Sequence, residues 1–299
     1  MKPLHLLLLS ALLASGCRPP PAPVELDELC AYLFGHFEDE SPREMQAGLA
    51  NLDTWMQAHL EDTLEGYEVT NLSDAMVDVL DERNHNTADM LGAAVGVLIE
   101  GYDPYALGIA MSVEDQLEVI PGAHTDYTRT YLSDEVCWAE VDCEFLRTTN
   151  HLEDNYPLLG DVISENWADF RWVELETGLA MVQRSGLRQP SEVMGMDSFA
   201  LNDEYYLNVM LPHGQGGGLT LQSMWVDATL NDDSVPESLA LNLVINQMQA
   251  IYGDIVDFLD THGAAVQPGG CAAVPARRGL ALSALLGLLG LAAARRRRG

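Results

Sequence analysis

The chain is expected to be an α+β protein. An N-terminal helical layer (24–86) should precede an antiparallel sheet of about six or seven strands packed on a long C-terminal helix (87–263). Three observations predict this. Apolar residues recur at helical spacing after Val24. The stretch DSFALNDEYYLNVMLP alternates with a period of two. Between Leu241 and Leu259 apolar residues fall at i, i+3, i+4 and i+7.

Val24 to Phe37 has the first helical stripe, Leu26, Leu29, Cys30, Leu33, Phe34 and Phe37. Cys30 lies on it and is expected to be a buried core thiol. Ser41-Pro42-Arg43-Glu44 supplies an N-cap, a first-turn proline and the glutamate of a capping box. The helix that follows should run to about Leu60, and a third, shorter one should lie near Ser73 to Glu82.

The texture changes near Met90. GAAVGVLIEGY fits a strand or a buried helix. DPYALGIAMS and SVEDQLEVIPG read as two short helices, the second closed by Pro121-Gly122. DYTRTYLS and CEFLRTTNHLE read as strands on either side of a turn containing Cys137 and Cys143. WADFRWVELETG and LAMVQRSGL form a hairpin about Thr177-Gly178. In DSFALNDEYYLNVMLP, residues Phe199, Leu201, Tyr205, Leu207, Val209 and Leu211 should share one face. Ala200, Asn202, Glu204 and Asn208 should share the other. HGQGGG turns the chain into LTLQSMWVDATL. Ser234-Val235-Pro236-Glu237 offers a second capping box, and Gly263 ends the last helix.

Charge excludes one class of partner. All 46 Asp and Glu fall between Glu25 and Asp260, against seven arginines and no lysine in that window, a balance of −39. Such a surface repels phosphate backbones, so nucleic acid is not an expected partner. It repels anionic lipid headgroups too, unless something anchors the chain.

The ends supply the anchor. MKPLHLLLLSALLASGC opens with a lysine, an apolar run from Leu6 to Leu13 and small residues, the pattern of a secretory signal. Its end, Ala14-Ser15-Gly16-Cys17, resembles the lipobox of bacterial lipoproteins. That resemblance implies a signal over 1–17 and lipid on Cys17, with the proline-rich segment 18–23 as a stiff tether. The C-terminus has a linker (264–278) containing Gly269-Gly270-Cys271, then 279–299, an apolar stretch from Gly279 to Ala294 closed by Arg295 to Arg298. It resembles the myxobacterial C-terminal sorting signal, MYXO-CTERM. That resemblance implies processing near Cys271 and an exported protein held at the cell envelope, outer membrane or cell surface. Terminal arginines retain a helix end in the cytoplasm during export. An oxidising compartment makes a Cys137–Cys143 disulfide plausible. A zinc site does not suit five intervening residues with no nearby histidine.

Motifs for chemistry are sparse. His213-Gly214-Gln215-Gly216-Gly217-Gly218 suggests a phosphate loop, but no lysine follows and no helix opens, so a hairpin turn is the better reading. Asp81, Glu82, Asn84, Asn86 and Asp89 are oxygen-rich, but their spacing matches no EF-hand. His124 and His151 each have carboxylates nearby and could serve a hydrolase. No cofactor motif is present. The order strand, two short helices, about six strands and a long helix resembles the START-like helix-grip fold. In that fold a concave sheet face can line an apolar cavity, which makes Trp167, Trp172, Tyr205 and Trp225 candidate ligand contacts. Three readings follow: an envelope lipoprotein binding or carrying a small apolar molecule; a structural or protein-interaction component of the envelope, with an envelope protein as partner; and a hydrolase using His124 or His151.

Overall fold

A computed structural model describes residues 21–62, 66–80, 83, 85, 87–156, 160–194, 199–230 and 237–263. Cys17, Cys271, the arginine tail, the second capping box and most of the oxygen-rich loop lie outside them. Among the described residues no helix is long and apolar enough to cross a membrane.

The helical layer is a pair, α1 (Leu26–Gly35) and α2 (Arg43–Ala58), followed by one turn of helix, α3 (Asp74–Val77). α1 buries Leu29, Cys30, Leu33 and Phe34 completely. Cys30 is the expected core thiol, with its Sγ accepting from Ser223 Oγ at 3.1 Å. The capping box before α2 does not form. Pro42 takes the cap position in an αR-like conformation. Ser41 therefore stands one residue too far out, and its hydroxyl reaches only Arg43 N, at 3.4 Å.

The sheet has nine strands, two more than the upper expectation. They are β1 (Gly66–Glu68), β2 (Leu91–Ile99), β3 (Asp126–Tyr131), β4 (Phe145–Tyr156), β5 (Gly160–Leu175), β6 (Gly178–Leu187), β7 (Glu192–Met194), β8 (Phe199–His213) and β9 (Gly217–Leu230). Their order is β1-β2-β9-β8-β6-β5-β4-β3, with β7 on β5, and the pairings are antiparallel. The strands not foreseen, β1 and β7, have three residues each and too little periodicity to read. β2 resolves the ambiguous apolar run as a strand. It is buried on both faces, so no alternation is visible in its residues.

Helices cover both faces of the sheet. α1 and α2 pack on one, the back, against Val173, Val182, Leu207, Val209, Leu221 and Trp225. On the other lie α4 (Pro104–Ser112), α5 (Gln116–Val119), α6 (Glu135–Ala139) and the long α7 (Glu237–His262). Their core includes Leu107, Trp138, Phe170, Trp172, Met210, Tyr252 and Ile255. The cysteine turn between β3 and β4 contains α6, and Cys137 and Cys143 form a disulfide with Cα atoms 5.2 Å apart.

Arginines fasten the back layer. Arg171 on β5, fully buried, donates to Phe37 O at 2.6 Å and Asp39 O at 3.1 Å, carbonyls beyond the end of α1. Its charge is met by Glu144 at 2.6 Å. Arg184 on β6 donates to Glu38 at 2.6 Å and lies 4.5 Å from the Phe37 ring centre. Glu38 also takes Arg147, so one carboxylate ties the connection after α1 to two strands.

A β-bulge in β8 overturns one expectation. The register with β9 shifts between Leu201 and Asp203. An extra residue reverses which face each side chain takes. Leu201 therefore faces α7, whereas Tyr205, Leu207, Val209 and Leu211 face the back layer.

Candidate functional site

Between the front of the sheet and α5 and α7 lies a cavity of about 210 Å³. Its apolar wall includes Met111, Ile120, Leu152, Leu187, Met224 and Ile251. Much of the rest of its lining is polar, and part of it comes from positions that read in the sequence as the polar side of a half-buried strand. Glu204 and Asn208 are examples.

At its centre three amides stand side by side on adjacent strands. Gln183 pairs with Asn208 across β6 and β8, and Asn208 with Gln222 across β8 and β9. All three are more than nine-tenths buried. Asn208 Nδ2 donates to Gln183 Oε1 at 2.8 Å. Asn208 Oδ1 and Gln222 Oε1 have no hydrogen-bond partner among the described residues. A buried amide carbonyl without a donor costs about 1–3 kcal/mol, so two together in a cavity wall call for donors from whatever fills it.

One end of the cavity is ionisable. His124 Nδ1 lies 2.7 Å from Asp154 Oδ1, and Tyr206 donates to Glu204 Oε1 at 2.7 Å. Burial is the main cause that pushes the Glu204 carboxyl up to about 7; Tyr206 and His124 oppose the rise and Asp154 adds to it. Glu204 on β8 and Asp154 on β4 are three strand steps apart, so this mutual influence requires the sheet to curl. Tyr127 and Tyr252 also line the cavity, and burial raises both phenols above their ordinary range.

The fourth feature is Arg129, on β3 and 7% exposed. Its Nε donates to Asn150 Oδ1 at 3.0 Å. Nη1 donates to Met111 O at 2.9 Å and Val113 O at 2.8 Å, at the C-terminal end of α4. Nη2 donates to Tyr127 Oη at 2.7 Å.

The four aromatic residues nominated from the sequence do not line this cavity. Trp167, Tyr205 and Trp225 project from the back of the sheet. Tyr205 Oη is 3.0 Å from His85 Nδ1, Trp225 donates to Thr70 O at 2.9 Å, and Trp167 lies over Arg184. Trp172 is on the front but in solid core, stacked on Trp138 at 4.3 Å and pressed against Gly108. Odd-numbered positions on β5, on β9 and on β8 after its bulge face back, a parity that strand recognition alone does not assign. The signal that could have found the site is amides, in place of salt-bridging charges, on the polar faces of three strands.

The two histidines also separate. His124 lines the cavity. His151 is on the other face of β4, between Glu165 at 2.6 Å and Glu153 at 3.4 Å. The glycine-rich segment after His213 is a hairpin turn into β9, with Gly214 and Gly216 at positive φ. Among the described residues no cluster of metal-ligating side chains is found.

No protein-family model matches the chain. No curated protein matches it. Among solved structures it is similar to a START superfamily protein from Mycobacterium smegmatis, at 10% identity and a TM-score of 0.38, over 57% of this chain and 97% of that one. It is also similar to a STAR-related lipid transfer protein from Xanthomonas axonopodis, at 11% identity and a TM-score of 0.39, over 60% and 90%. A third is norcoclaurine synthase from Thalictrum flavum, at 11% identity and a TM-score of 0.35, over 58% and 88%.

Proposed function

We propose that this protein is an exported, envelope-anchored acidic lipoprotein that binds a small amphipathic molecule between its sheet and α7. The observation that carries the binding reading is the cavity wall itself. It combines an apolar side with two buried amide carbonyls that no group among the described residues satisfies. A cavity that stays dry is lined by apolar residues, whereas a polar wall takes donors from water or from a ligand that replaces it. The polar row narrows the apolar ligand expected from the sequence to one with hydrogen-bond donors. At about 210 Å³, the space is smaller than the ~300–1,000 Å³ of typical ligand pockets, so the occupant is small. Export and anchoring are supported by the signal-like N-terminus, Cys17 and the arginine-ended tail.

Catalysis is the weaker reading. Among the described residues no serine, threonine or cysteine side chain is bonded to His124, so the His124–Asp154 pair offers no covalent nucleophile and a hydrolase here would have to activate water. The test is native mass spectrometry on the full protein extracted gently from its membrane. A reproducible added mass of a few hundred daltons, released on denaturation, is expected. A bare polypeptide, together with no heat of binding for any small amphiphile, would overturn the reading.

A further inference from the structure

We infer that the ligand is an organic anion, its carboxylate held inside the cavity by Arg129; this rests on the binding reading above. The argument begins with scarcity. The folded part has seven arginines among 46 carboxylates. The other arginines buried to a similar degree each have an acid: Arg171 has Glu144 at 2.6 Å, and Arg184 has Glu38 at 2.6 Å and Asp169 at 3.7 Å. Arg129 has none among the described residues. It lines the cavity, and its four hydrogen bonds go to neutral oxygens.

A guanidinium cannot shed its proton in a protein, so its charge is permanent. An isolated buried charge is costly unless an opposite charge or several hydrogen bonds meet it. The carbonyls ending α4 lie at the negative end of that helix and meet it in part. They also hold the group in one orientation. Five N–H groups belong to a guanidinium, and the four bonds leave one of them, on Nη2, without an acceptor among the described residues. A carboxylate entering the cavity would take that N–H and supply the missing charge.

The acids that line the cavity, Asp154 and Glu204, do not reverse this preference. Asp154 is already paired with His124. Burial keeps a proton on Glu204 up to about pH 7, so it can be neutral where Arg129 cannot. The protein's bulk charge opposes an anion, which makes the experiment stringent. Any preference for an anion must arise inside the cavity.

The test is calorimetric titration of the full chain at pH 6.5 in 0.15 M salt with decanoate, decanol and decylamine, which share a chain and differ in headgroup. Decanoate is expected to bind at least tenfold more tightly than either of the others. Decanol or decylamine binding as well as decanoate would overturn the anion inference while leaving the binding reading intact. No binding by any of the three would overturn both. R129K should keep most of the preference for decanoate over decanol, and R129Q should abolish it, read as the ratio of the two affinities. Should R129Q fail to fold, the wild-type series and R129K decide.

Discussion

Gln222 and Asn208 present a conflict between stability and binding that a single substitution can expose. Each places an unpartnered amide oxygen against the cavity. Replacing such a group by an apolar one of similar shape removes a desolvation cost. Q222M is therefore expected to raise the stability of the unliganded protein by about 1 kcal/mol in urea denaturation. It should also weaken the endogenous ligand about tenfold or more, seen as loss of the added mass. A Q222M protein that is less stable and binds as before would mean that the amide is satisfied in the empty state. Glu204 gives the pH dependence. Its folded carboxyl is raised to about 7 from its ordinary value of 4.5, chiefly by burial. The folded state thus keeps a proton that the unfolded chain releases. The contribution to stability is complete below about pH 4.5 and is lost as pH rises through about 7. Asp169, raised to about 6 by burial, acts in the same direction. Melting temperature should fall from pH 5 to pH 8, and E204Q should flatten that slope by up to about 3 kcal/mol.

At the scale of elements, α4 is the part most sensitive to a methyl group. A Cβ on Gly108 would lie 2.7 Å from Trp172 Cη2 and 3.1 Å from Met181 Cγ. The indole cannot retreat, because it is stacked on Trp138 and donates to Trp138 O at 3.1 Å. G108A should cost about 1–3 kcal/mol by overpacking, although alanine favours a helix. Because α4 also presents Met111 O and Val113 O to Arg129, the variant should perturb binding as well. A neutral effect on stability would show that α4 can shift. Elements with long runs of one period were legible in the sequence: α1, α2, β8 and α7. β1 and β7 were too short to show a period. The expected cap at Ser41 failed because proline at the cap position set the helix entry one residue later. The site was less legible than the fold. Glu204 and Asn208 looked like a solvent face, because a strand's pattern records two chemical sides and not which layer covers each.

For the whole molecule the dominant quantity is charge. A body carrying −39 in its folded part repels itself, and the repulsion acts on the compact state more than on the extended chain. Screening shortens its reach to about 10 Å at 0.1 M salt. Melting temperature is therefore expected to rise by several degrees between 10 mM and 0.5 M sodium chloride. An unchanged or falling value would mean that internal ion pairs such as Glu38 with Arg147 and Arg184 outweigh the repulsion. The cover on both sides of the sheet has a further effect at this scale. The back layer is tied to β5 and β6 by Arg171 and Arg184, and the cavity lies on the opposite face of the sheet. Movements that admit a ligand must therefore come from the α5 and α7 side.

The bulge in β8 makes one strand serve two rooms. Before the bulge the odd-numbered Leu201 looks into the cavity, and after it the even-numbered Glu204, Tyr206 and Asn208 do. A saturation scan along Phe199 to Leu211 should trace this as a phase jump. The positions whose substitution changes ligand binding should switch parity at Asn202, as a wave does at a dislocation. Deleting that one residue would realign the wave and turn the strand's opening segment inside out, without changing the identity of any other side chain.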